Sequence, residues 1–177
     1  MKKIILLFVV MACFLSHSDA QVRFGVKAGL NFDSFNAAKE IEPANSVGWH
    51  AGPLLQLIIP GLGLGVQPEL LYTSKKIDEK GIGYFDIPIN LRYELNLLVV
   101  RPYFVAGPYF GYVVNIDESI EYKVDKDKAA WGIGVGGGLE IWKLQAEMRY
   151  SWGMNSIGTA LTDLKNNTFT LSVGYIF

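Results

Sequence analysis

Cysteine is almost missing from the 177 residues: one is present, Cys13, and residues 21–177 contain none and a single histidine, His50. Disulfides, thiol nucleophiles and cysteine-ligated metals are therefore excluded from that region. Charge of one sign is also missing, since 16 basic and 17 acidic side chains leave a net charge of -1 and no footprint for nucleic acid. Charged residues are scarce at 19%. With half the residues hydrophobic and a mean hydropathy of +0.23, intrinsic disorder is excluded. After residue 20 no apolar run reaches the ~18 residues that a membrane helix needs.

The first twenty residues have the form of a secretory signal. Lys2 and Lys3 precede an apolar run from Ile4 to Leu15, and Ser18-Asp19-Ala20 sets small residues at the cleavage positions. Residues 1–20 are expected to be removed and residues 21–177 to form one domain. A second reading of the same stretch treats Val10-Met11-Ala12-Cys13 as a loose lipoprotein box and makes Cys13 an acylated first residue.

Beyond residue 20 the hydrophobicity has a period of two. Phe169, Leu171, Val173, Tyr175 and Phe177 share one face, opposite Thr168, Thr170, Ser172 and Gly174. Residues 143–152, 84–95, 22–32, 46–59, 62–74 and 129–142 alternate in the same way, which is a strand signal. Residues 101–114 are apolar on both faces, so their parity stays open. The total is eight strands. Their connections alternate in length: Pro60-Gly61, Asn96 to Val99 and the bend near Trp142 are short. Asp33 to Asn45, Lys75 to Ile82, Asn115 to Lys128 and Met154 to Asn166 are medium or long. That rhythm predicts an all-β, eight-stranded antiparallel up-and-down barrel with tight turns on one rim and four loops on the other.

Three features place the greasy face outward, in lipid. Charged residues share their face with Gly25, Gly29, Gly48, Gly52, Gly63, Gly65, Gly132, Gly134, Gly136 and Gly138, and a narrow barrel interior must interleave small residues with long ones. Aromatics on the apolar face fall at two heights: Phe32, Trp49, Tyr72, Phe85, Trp131, Trp152 and Phe169 toward the loops, and Phe24, Tyr93, Tyr175 and Phe177 toward the turns. Strands of ~10 to 11 residues suit a tilted bilayer crossing.

With the polar face inward, Arg23, Lys27, Arg92, Lys143 and Arg149 meet Glu69, Asp86, Glu94, Glu140 and Glu147 in the lumen. Buried ions are tolerated when paired, so a compensated ladder that plugs the centre is predicted, a structural filling and not a transport path. Pro53, Pro68, Pro88, Pro102 and Pro108 fall inside these strands and predict bulges or local breaks in the ladder.

FGVKAGLNF, QPELLYTS, YFDIPINLRYEL, RPYFVAGPYFGY and FTLSVGYIF, in that order and spacing, resemble the PorT-like outer-membrane β-barrel proteins of Gram-negative bacteria over residues 22–177. The resemblance implies an outer-membrane location among outer-membrane lipids, and it makes Phe177 with Tyr175 a C-terminal signal for the barrel-assembly machinery. It supplies no reaction and no catalytic residues.

Other motifs carry less. Gly132 to Gly137 spells a dinucleotide-type glycine string, but on a strand it lacks the helix N-terminus that such a site needs. His50 could act as a general base with Glu69 or Asp86, yet no serine motif accompanies it and an ordinary lumen histidine is the simpler reading. Asp117, Glu118, Glu121, Asp125 and Asp127 alternate with lysines and lack the calcium-loop pattern. The expectation is a non-enzymatic barrel without cofactor or metal, used for surface interaction or envelope structure. An accessory role in protein secretion or assembly, with a protein partner, is the alternative, followed by a lipid-modifying enzyme or a small channel.

Overall fold

The computed structural model describes residues 21–36, 46–77, 80–97, 99–116, 130–154 and 165–177. The signal segment, Cys13 and the acidic stretch from Asp117 to Asp127 lie outside the described residues. The chain forms β1 (Gln21–Asn36), β2 (Ser46–Ile59), β3 (Leu64–Pro68), β4 (Leu71–Ile77), β5 (Lys80–Glu94), β6 (Val100–Ile116), β7 (Ala130–Ile141), β8 (Leu144–Gly153) and β9 (Lys165–Ile176). All pairings are antiparallel, and β1 pairs with both β2 and β9, so the sheet closes. β3 and β4 are two halves of one barrel strand: both pair with β2 and with β5, in the same register. The expected eight-stranded up-and-down barrel is the fold.

Three prolines explain the break between β3 and β4. Leu70 N–H donates to the Pro53 carbonyl (3.0 Å) and Glu69 N–H to the Pro88 carbonyl (2.9 Å), but neither proline has an N–H to return the bond. Pro68 removes a third donor beside them. Pairing between β5 and β6 also lapses between Pro88↔Tyr109 and Leu91↔Ala106, opposite Pro108. The register shift itself falls elsewhere, at Gly83/Tyr84, where no proline stands.

Two boundaries differ from the sequence reading. Ile77 pairs with Lys80, so β4 and β5 take up most of the connection expected over Lys75 to Ile82. Trp142 and Lys143 form the two-residue turn joining β7 to β8, and Trp142, with φ of 56°, takes the left-handed conformation that the first position of such turns uses.

Orientation follows the period of two. Phe24, Leu91 and Val173 are 63%, 59% and 66% exposed, whereas Arg92 and Glu147 are 0% and 4% exposed. In β6, Tyr103, Val105 and Gly111 point inward and are buried, which settles the parity that the sequence left open. The outer wall carries an aromatic on every barrel strand near the loop rim: Phe32, Trp49, Tyr72, Phe85, Phe110, Trp131, Trp152 and Phe169. Several touch, as in Trp49–Tyr72 (5.6 Å between ring centroids), Tyr72–Phe85 (5.7 Å) and Phe32–Phe169 (6.3 Å).

The inward glycines make room for long neighbours. Tyr103 on β6 and Glu147 on β8 both flank Gly138 of β7, and a Cβ there would lie 2.5 Å from the Tyr103 hydroxyl. The hydroxyl instead passes over the glycine to donate to Glu147 at 3.2 Å.

Candidate functional site

Among the described residues, the lumen is the one place where the fold gathers chemistry-bearing side chains from every strand. Near the turn rim Glu140, fully buried, accepts from three guanidinium groups: Arg23, Arg92 Nη2 (2.8 Å) and the half-exposed Arg101 Nη1 (3.3 Å). Glu94 takes Arg23 Nη2 and Arg92 Nε, each at 3.2 Å, and the Arg92 guanidinium stacks 3.6 Å from the Tyr103 ring centroid.

Deeper in, Glu69 Oε1 accepts from Lys27 Nζ (2.8 Å), Arg149 Nη2 (3.0 Å), Gln67 Nε2 (2.7 Å) and Asn90 Nδ2 (3.2 Å). Glu147 Oε1 accepts from the same lysine (3.0 Å) and the same arginine (2.7 Å). Gln67 joins the two clusters, because its Oε1 accepts from Arg92 Nη1 (3.0 Å) while its amide donates to Glu69. Each buried ion thus has an opposite charge within hydrogen-bond distance, the condition under which ions survive away from water.

Of the residues expected in this network, Arg23, Lys27, Glu69, Arg92, Glu94, Glu140, Glu147 and Arg149 lie in the two clusters. Asp86 sits nearer the loop rim, where Oδ2 accepts from the Thr73 hydroxyl at 2.7 Å. Lys143 is not in the lumen. It occupies the β7–β8 turn, past the end of the alternating strand, and its exposed ammonium lies 5.8 Å from the Tyr175 ring centroid on the outside. Arg101, whose strand had no readable parity, takes part instead. Tyr175 and Phe177 point outward with rings 5.5 Å apart, and Phe177 N–H donates to the Phe24 carbonyl.

Above the Lys27–Glu69 cluster, toward the loops, lies a cavity of about 100 Å³ whose lining includes Lys27, Asn31, His50, Glu69, Arg149 and Ser172. His50 pairs with neither Glu69 nor Asp86. Its Nδ1 is 2.7 Å from Asn31 Oδ1 and its Nε2 is 2.9 Å from Ser172 Oγ. Ser172 lies 122 residues away in sequence, which is why no local serine motif announced it. Gly132, Gly134 and Gly136 lie within β7, followed by a turn and another strand, so the glycine string has no helix to serve. No cluster of potential metal ligands occurs among the described residues.

A closed antiparallel barrel, apolar outside and ionic within, ringed by aromatics, defines a β-barrel membrane protein. The chain belongs to the outer membrane protein beta-barrel domain family, whose model matches residues 5–177. In structure it is similar to the outer membrane enzyme PagL, with a TM-score of 0.62, 12% identity and coverage of 85% of this chain and 98% of that one. It is also similar to Neisserial surface protein A (TM-score 0.56, 13% identity, 87% and 97% covered). A third is Ail, the attachment invasion locus protein of Yersinia pestis (0.53, 15%, 89% and 99%). Such identities establish the shared fold alone. No curated protein matches the chain.

Proposed function

We propose that this outer-membrane barrel conducts nothing through its centre and works at its loop rim, in surface interaction or envelope structure. The observation that carries the reading is the cross-linked turn-side cluster: Arg92 and Glu140, both fully buried, tie β5 to β7 across the lumen, and Glu140 binds Arg23 of β1 as well. An ion crossing there would have to displace paired charges in a low-dielectric interior. Loops carried on a rigid scaffold are a usual seat of binding. Structures of similar fold include an attachment protein in complex with a heparin analogue and an enzyme, so the fold alone does not choose between roles.

Within its family we place the chain with the PorT-like proteins, on the five segments that resemble them. The outward Tyr175 and Phe177 suit a signal for the barrel-assembly machinery, and residues 1–20 suit a cleaved export signal. Reconstitution into planar bilayers is expected to give no conductance steps; regular ohmic steps would remove the plug from the account. Mild detergent extraction of native envelopes separates the two roles. The chain recovered alone supports surface or structural work, whereas a stoichiometric protein partner moves the function to secretion or assembly.

A further inference from the structure

His50, Gly29 and Ser172 form one row across three adjacent strands: Gly29 of β1 pairs with His50 of β2 on one side and with Ser172 of β9 on the other. A Cβ on Gly29 would lie 2.7 Å from His50 Cε1 and 2.8 Å from Ser172 Cα. The missing side chain is what lets the imidazole lie across β1 and reach the serine. Asn31, two residues along β1, meets the other ring nitrogen. Its Oδ1 accepts from Nδ1–H, which leaves the Nε2 lone pair to accept from the Ser172 hydroxyl. A hydroxyl hydrogen-bonded to a histidine that a third group orients is the arrangement of an activated nucleophile.

Two unpaired polar atoms belong to side chains at the same place. Arg149 Nε, a buried donor, and Glu69 Oε2, a buried acceptor, have no hydrogen-bond partner among the described residues, and both side chains line the cavity shared with His50 and Ser172. Unpaired buried polar atoms are uncommon and call for a partner. Arg23 Nε, Gln56 Oε1 and Gln145 Nε2 are also unpaired, but none of those residues lines the cavity.

We infer that Ser172 is a nucleophile toward small carboxylic esters entering from the loop rim, with His50 as general base and Asn31 as the residue that positions the ring. Ser172 Oγ bonds to the carbonyl carbon while its proton passes to His50 Nε2. The carbonyl oxygen becomes an oxyanion facing the cationic Arg149 side chain. Collapse breaks the bond to the alcohol, which leaves with the proton from His50. Water, deprotonated by the same imidazole, then releases the carboxylic acid and restores the serine. A space of about 100 Å³ beside Ser172 accommodates an acetyl group.

The test uses the refolded full barrel in detergent, with p-nitrophenyl acetate as probe, nitrophenolate release as one readout and peptide mass mapping of the acetyl group as the other. Acid-quenched within the first turnover, before water releases the acyl group, wild type should carry one acetyl group on Ser172. Ser172→Ala should abolish that label, and His50→Gln should slow it by about 100-fold, the usual scale of a general base. Asn31→Leu should lose labelling while Asn31→Asp, which keeps the acceptor oxygen, retains it. Heat-modifiable gel migration reports whether each variant is folded, and only folded barrels enter the comparison. A folded wild type without label at Ser172, or labelling at the same rate in His50→Gln, overturns the proposal. Asn31→Leu labelled as fast as wild type removes Asn31 from it.

Discussion

The two halves of the lumen use the same ions and end differently. On the turn side, Arg23, Arg92, Glu94 and Glu140 are packed among Tyr103, Gln56, Leu54, Ile58 and Ile176, all buried. On the loop side, Lys27, Arg149, Glu69 and Glu147 face Gly111, Ser151, Thr168, Thr170 and Ser172, and the cavity opens there. Side-chain volume makes the difference, because equal charge compensation leaves the turn half filled and the loop half with room for a small molecule. A filled half serves closure and stability. A half with room and a histidine–serine contact is where ligand chemistry is available.

The largest effect expected from this contrast is at Glu140. Glu140→Gln removes the charge shared by three arginines, away from the loop-side cavity, and breaking one partner out of a buried pair costs about 3 to 5 kcal/mol. Glu69→Gln likewise deprives Lys27 and Arg149 of a carboxylate, but beside the cavity, where water can solvate the freed cations, so its loss should be smaller. Urea unfolding of both variants in micelles gives the ratio. Equal losses would mean that the cavity brings no relief and that the halves are energetically alike.

The outer wall should ignore the contrast. Leu91→Arg lies outside the turn-side cluster, next to Arg92 in sequence, and Val173→Arg lies outside the loop-side site, next to Ser172. Both side chains are more than half exposed on the outer face. A cation there faces lipid, at up to about 2 to 4 kcal/mol near the midplane, whichever half stands behind it. Similar losses in bilayer refolding support an outward apolar wall. A neutral result at both positions would deny that this face meets hydrocarbon.

Much of this architecture is legible in the sequence because a barrel strand writes its facing into every second residue. The inward set on β1, β5, β7 and β9 follows from alternation, and strand number and direction follow once the rhythm of the connections is added. Legibility fails where alternation fails. β6 is apolar on both faces because Tyr103 and Val105 help fill the turn-side half, so Arg101 could not be assigned. Lys143 keeps the parity of β8 while belonging to a turn, and parity cannot see where a ladder ends. The contacts of His50 were hidden for another reason. Asn31 and Ser172 are ordinary polar residues on strands, made special by closure of β9 onto β1 and by the glycine between the two side chains.

The smallest predicted effect tests burial against charge at a single carboxylate. Arg92 and Arg101 both bind Glu140, at 2.8 and 3.3 Å, but the Arg92 side chain is fully buried while that of Arg101 is 41% exposed. Exposed pairs contribute about 0 to 1 kcal/mol and are screened by salt, because water already solvates the free ion. Arg101→Gln should therefore shift the urea midpoint slightly at low ionic strength and hardly at all in high salt. Glu140 keeps Arg23 and Arg92 in that variant, so its own charge stays compensated. A large, salt-insensitive loss would place Arg101 inside the closed half of the lumen and extend the plug to the turn rim itself.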